Sequence, residues 1–249
     1  MKPTAAYPKP GPAGGVLIRR VIALLRNPDL HIEIPFQPAP RVWIAVSGGP
    51  DSLALSLLIV KYGRRVCAPG QVGLIHVNHG WRGLASDRDE KRVRNFGKKW
   101  GIQTLVLAGK RLHEEPGRSW EEAARDERRR IFSEHVSPRD WLFTAHTADD
   151  QAETVLWRLA TGAFEKLGAG IRIRDQRKVR PFLTTRKSEL QKFLREERQA
   201  FGIDQSNFDE RFLRARLRKR IMPELEKAFP RVVENLVDLG LRHPGCIKL

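Results

Sequence analysis

The chain has 249 residues, room for one large domain or a main domain with a small satellite. Its 41% of hydrophobic residues suffices for a core, while two cysteines, Cys67 and Cys246, exclude a disulfide scaffold and a zinc site of four thiolates. Lys and Arg outnumber Asp and Glu by 46 to 29, a formal charge of +17 that disfavours cationic or uncharged partners and favours a polyanion, most simply nucleic acid. Charge by itself leaves RNA, DNA and an anionic membrane surface open.

The opening MKPTAAYPKPGPAGG is rich in Pro, Gly and Ala and lacks the apolar stretch of a secretory signal, so it reads as a disordered leader. No apolar run approaches the ~18 residues that span a bilayer, and sparse cysteine fits a reducing compartment; residence in the cytoplasm is the expectation. Residues 16–26 repeat apolar side chains at helical spacing and stop at Asn27-Pro28. After a Pro-containing linker a βα alternation begins. Strands are expected at 42–46, 72–77, 102–107 and 141–146. Helices are expected after SGGPDS, within 79–100, from Ser119 to His135 with a Ser119/Glu122 capping box, and from Asp149. Apolar strands without alternation, separated by helices, indicate a parallel sheet covered on both faces. The fold class is therefore doubly wound α/β.

Composition shifts near Gly170. Residues 171–220 hold sixteen Lys and Arg against seven acids, just over half the excess charge in fifty residues. Three regions are expected: a leader and helix over 1–40, a nucleotide-binding domain over 41–170, and a basic helical subdomain over 171–249 facing nucleic acid.

The chemistry starts at SGGPDS, residues 47–52, between a strand and a helix. Gly48 and Gly49 let backbone approach a phosphate. The Ser47 and Ser52 hydroxyls and the free N–H groups of the helix start can donate to its oxygens, and Pro50 suits a helix's first turn. Asp51 would repel a phosphate unless a cation lay between them, which implies Mg²⁺. No GK[ST] closes the loop, so it is not a Walker A motif.

SGGPDS after the first strand resembles the signature SGGxDS of the PP-loop ATP pyrophosphatase superfamily. Its members transfer AMP from ATP to a substrate oxygen, release pyrophosphate, and let a nucleophile displace AMP. Four further stretches are similar to one branch, the tRNA(Ile)-lysidine synthetases. HVNHGWRG (76–83), with Ser86 and Asp89-Glu90, looks like HxDHGLR…S…E, with Asn78 and Trp81 for Asp and Leu. AARDERRRIF (123–132) resembles ARxxRYxxL, placing Arg125 and Arg128 at the arginine positions and Arg129 at the tyrosine. TAHTADDQAETVLWRLATGA (144–163) is similar to AHxxDDxxET-xLxRLxxG. RPFL (180–183) and DQSNFDERFLRARLRKRIMPEL (204–225) are similar to RPLL and DPSNxDxxYxRNRIRxxLLPxL, with Gln205, Phe212 and Ala215 as departures. The resemblance covers about residues 42–225, in the family's order.

The resemblance implies a ligase that adenylates carbon 2 of the wobble cytosine in a CAU-anticodon isoleucine tRNA through its oxygen. Free L-lysine then displaces AMP to form lysidine. Carried onto this sequence, Ser47, Gly48, Gly49, Pro50, Asp51 and Ser52 bind ATP, and Asp51 with Asp150 binds Mg²⁺. Asp150 or Glu153 holds or deprotonates the lysine amine. His146 donates to phosphate or substrate oxygen. Arg82, Arg125, Arg128, Arg214 and Arg218 stabilise phosphate charge or grip tRNA. Longer members carry C-terminal tRNA-holding domains. This chain stops about two dozen residues past Pro223, so a short form is expected: either the basic 171–220 segment, helped by a homodimer, holds the tRNA, or specificity is weaker. A 2-thiolase of the same superfamily is the alternative, although it normally needs cysteines, often as CxxC. The other is a non-catalytic RNA-binding relative, against which the intact SGGPDS and DDQAET argue.

Overall fold

The computed structural model describes residues 9–35, 40–68, 70–80, 83–109, 120–164, 170–202 and 213–242. Six strands form one sheet in the order β3-β2-β1-β4-β6-β5. They are β1 (Val42–Ala45), β2 (Val72–Asn78), β3 (Gln103–Ala108), β4 (Trp141–Phe143), β5 (Arg174–Asp175) and β6 (Lys178–Val179). All pairings are parallel except β5 with β6. This is the doubly wound α/β fold expected from the sequence.

Five helices fix the faces: α1 (Pro12–Leu25), α2 (Pro50–Tyr62), α3 (Leu84–Trp100), α4 (Trp120–His135) and α5 (Ala148–Ala160). A sixth, α6 (Lys187–Glu196), follows the hairpin of β5 and β6. Val42, Ile44, Leu74, Phe143 and Val179 of the strands pack with α1, α2, α3 and α6 into the main core. The alternate strand positions Trp43, Ile75 and Leu142 pack on the opposite face against Phe132 of α4, as the two-residue strand period requires. Close packing is visible at Gly73, where a Cβ would lie 2.5 Å from the Trp43 ring.

The sheet continues past residue 170. Two-residue strands at 174–175 and 178–179 extend it beyond β4 inside the segment expected to be helical. Runs that short leave no alternation to read. Among the described residues the elements from α6 onward are helices. There α7 (Leu213–Arg216) runs through a π turn (Leu217–Ile221) into α8 (Met222–Ala228), and α9 (Val232–Arg242) follows. Met222, Val233, Leu236 and Val237 close a second core with Ala148, Ala152 and Val155 of α5. β4 ends three residues before the expected boundary because the chain leaves the sheet to cap α5. Trp81, Arg82, the Ser119/Glu122 capping box, residues 204–212 and Cys246 lie outside the described residues.

Candidate functional site

The chain steps outward from β1 through β2 to β3, then returns to β4 on the other side of β1. The loops after β1 and β4 therefore separate to opposite sides and leave a crevice at the carboxyl ends of these strands, where such sheets bind ligands. SGGPDS follows β1 and the helix carrying Asp149, Asp150 and Glu153 follows β4. The topology thus brings together the two motifs that the sequence singled out.

The loop is shaped from within. Gly48 has φ +87°, and a Cβ there would meet the Asp89 side chain at 2.9–3.0 Å. Only glycine combines that backbone with that proximity. Ser47 N–H donates to Ser52 Oγ at 3.1 Å, and Ser52 Oγ donates to the Gly49 carbonyl at 3.1 Å. The Ser47 and Ser52 hydroxyls are 3.2 Å apart. Ser52 is buried, and its hydroxyl braces the turn. Pro50 stands in the first turn of α2, whose N-cap Gly49 offers no side-chain cap. The start of α2 is open to an anion. In α5, by contrast, Thr147 Oγ1 accepts from the Asp150 amide, and Asp150 Oδ2 accepts from the Thr147 amide at 2.9 Å. That helix start is satisfied by its own capping box.

Three carboxylates on the first turns of α5 would repel one another. The fold gives each a cation. Asp149 accepts from Arg186 Nε at 3.2 Å and from the Lys187 amide at 2.8 Å. Asp150 accepts from Lys187 Nζ at 2.8 Å. Glu153 takes both arms of Arg218, Nε and Nη2, at 2.7 Å each. Arg186 and Lys187 stand at the N-terminal end of α6, and Arg218 lies in the π turn, a helix irregularity frequent at functional sites. Sequence reasoning named Arg218 but missed Arg186 and Lys187. Their signal was a basic pair directly before a helix inside a basic run. A cavity of about 120 Å³ is lined by Asp149, Glu153, Lys187, Arg218, Met222 and Glu226.

Asp51 has no such partner. Its Oδ1 is buried and makes no hydrogen bond. Burial raises its carboxyl to about 6, and nearby Asp150 and Asp149 push the same way while Lys187 opposes. Burial would also raise Asp150, but Lys187 and the Thr147 amide hold it at about 2. Among the described residues no three His, Cys, Asp or Glu side chains stand close enough to hold a metal by themselves. An orphaned carboxylate beside an open phosphate loop suits Mg²⁺ of the kind that completes its shell with phosphates and water.

His146 Nδ1 lies 3.0 Å from Thr144 Oγ1. Burial, then Arg180, lowers it to about 4, so it is neutral at physiological pH. Arg125 and Arg128 of α4 act electrostatically on His146. His79 faces a separate cavity of about 390 Å³ at the ends of β2 and β3, with Asn78, Glu90 and Arg94. Arg82 and the side chain of Arg214 lie outside the described residues.

The PP-loop domain family matches residues 18–225. The tRNA(Ile)-lysidine synthase of Pseudomonas putida is 35% identical over 205 residues, covering 81% of this chain and 47% of that protein. That of Bacillus subtilis is 35% identical over 201 residues, covering 76% and 41%. The chain thus spans about half the length, or less, of these curated relatives. Among solved structures, a U34-tRNA thiolase of Methanococcus maripaludis with its [4Fe-4S] cluster aligns at TM-score 0.71 and 20% identity, covering 91% of this chain and 77% of that one. That likeness concerns the fold. Loop, crevice and family match agree, and this chain belongs to the PP-loop family.

Proposed function

We propose that the chain is a tRNA(Ile)-lysidine synthase. It transfers AMP from ATP to the carbon-2 oxygen of the wobble cytidine in CAU-anticodon tRNA(Ile), releasing pyrophosphate. It then joins the ε-amine of L-lysine to that carbon, releasing AMP. The observation that carries this reading is the meeting of the SGGPDS turn with the acidic start of α5 at one strand crossover, in a chain similar to proteins of that name.

The chain's own residues divide the work. Gly48, Gly49 and the open start of α2 receive phosphates, while Ser47 and Ser52 hold the turn in shape. Asp51 and Asp150 would hold Mg²⁺, which when bound neutralises phosphate charge. Lys187 keeps Asp150 ionised. Glu153, or Asp150, accepts a proton from the lysine ammonium, because only the neutral amine is a nucleophile. Neutral His146 donates a hydrogen bond to substrate oxygen without adding charge. Arg125, Arg128 and Arg218 stabilise phosphate charge or grip tRNA. No helix among the described residues is long and apolar enough to cross a membrane; we place the reaction in the cytoplasm, with tRNA, and a homodimer would enlarge the surface that grips it.

A 2-thiolase reading is weaker. Cys67 is buried and its thiol is pushed up to about 12 by that burial, so it is a poor sulfur carrier. The test is pyrophosphate release from ATP. It should require CAU-anticodon tRNA. Release at the same rate without RNA would instead indicate a small-molecule substrate.

A further inference from the structure

Lys178 lies opposite Leu142 in the sheet register, so it stands on the face that α4 covers. Arg180, two residues on, shares that face. It sits at the carboxyl end of β6 next to the loop that carries His146, and its amide bonds to the Ile173 carbonyl at 2.9 Å. The Arg180 side chain is only 11% exposed. Nη1 donates to the Arg172 carbonyl at 2.6 Å, and Nη2 lies 3.9 Å from Asp175. Its Nε is buried without an acceptor.

Its surroundings are cationic. The charges of Arg129 and Arg125 on α4 act on both Lys178 and Arg180, with Asp175 as the opposing carboxylate. Arg129 itself lies 3.6 Å from Asp126. Burial lowers the pKa of both Lys178 and Arg180, and these neighbours lower it further. Arg180, held out of water with its carboxylate as far as 3.9 Å away and Lys178 acting on it as a second buried cation, is unfavourable unless a further anion joins it. A purely structural arginine would satisfy its Nε.

We infer that Lys178 and Arg180, with Arg125 and Arg129 beside them, form an anion subsite for a phosphate group next to His146. β6 stands two strands from β1, about 10 Å at the usual spacing, so a phosphate here is not the one seated on SGGPDS. A phosphodiester of the substrate RNA, flanking the reacting base, fits that separation. Only this choice of source rests on the proposed function; the subsite itself does not.

The test uses the full chain and its R180Q, R180K and K178Q variants. Binding of ATP and of a CAU-bearing anticodon stem-loop RNA is measured across a range of salt. R180Q should weaken stem-loop binding about tenfold and flatten its salt dependence by about 0.7–0.9 in log–log slope, with ATP affinity unchanged. R180K should keep the slope. Loss of ATP affinity with RNA binding intact would assign the same subsite to a nucleotide phosphate. If R180Q melts non-cooperatively, K178Q decides by the same readouts. Should the unaltered chain bind no stem-loop, the RNA reading fails and the ATP arm alone decides. A cooperatively folded variant with both affinities and both slopes unchanged overturns the inference.

Discussion

Lys187 Nζ lies 2.8 Å from Asp150 Oδ1, joining the start of α6 to the start of α5 across the crevice. The two side chains are 28% and 22% exposed, so water screens the pair only partly. Lys187 is also the main reason that Asp150 stays ionised despite burial.

Lys187→Met should therefore take from Asp150 its closest cation, leaving Arg218 Nη2 at 3.8 Å and the Thr147 amide and hydroxyl. Removing one partner of a buried charged hydrogen bond costs about 1–3 kcal/mol. Urea unfolding should show that loss, and ATP-dependent activity should fall with it. Lys187→Arg should recover stability better than activity, because the longer fork cannot sit where a compact ammonium sits.

Two groups in the crevice give opposite pH dependence. Burial raises Asp51 from 3.8 to about 6, so the folded chain keeps a proton that the unfolded chain has lost. Its contribution to stability is present at low pH and fades as pH rises through that window. Burial and Arg180 lower His146 from 6.5 to about 4, so its contribution has the other sign and grows with rising pH across 4–6.5. Asp51→Asn should make stability climb more steeply between pH 4 and 6, and His146→Gln should make it climb less. Melting temperatures taken at half-unit pH steps check both signs. Mg²⁺-dependent nucleotide binding should also weaken below about pH 6, as Asp51 takes up its proton.

Gly48→Ala places a Cβ against Asp89 on a backbone of φ +87°. Strain of this kind costs about 1–3 kcal/mol. ATP binding followed by calorimetry should be lost, while Gly80→Ala, where φ is +68° but a Cβ meets nothing within 4 Å, should spare it.

Glu153→Gln keeps the shape of the cavity beside Arg218 but removes its proton acceptor. RNA-dependent pyrophosphate release should continue, and lysine transfer should fall by about a hundredfold or more, a size typical of lost general-base catalysis. Quench-flow separation of the two half-reactions checks this.

The strands, SGGPDS and the acidic start of α5 were legible because each is a contiguous pattern: an apolar run, a Gly-Gly turn, an acidic cluster opening a helix just after a strand. Their meeting in one crevice followed from parallel topology alone. The partners of the carboxylates were not legible. Asp150 and Lys187 are 37 residues apart and Glu153 and Arg218 are 65 apart, and no local rule pairs them. Ser52 reads as a phosphate donor in sequence, yet its hydroxyl points back to the Gly49 carbonyl. Likewise β5 and β6 are too short for a period, so Arg180 reads as part of a basic run instead of the end of a strand beside the crevice.

The most direct measurement supplies the chain with ATP, Mg²⁺ and labelled L-lysine, and compares CAU-anticodon tRNA(Ile) with a GAU-anticodon control. The label should enter only the CAU tRNA, stoichiometrically with AMP, and Asp51→Asn should abolish incorporation without unfolding the chain. Incorporation into neither RNA by a folded, ATP-binding chain, or equal incorporation into both, would contradict the account.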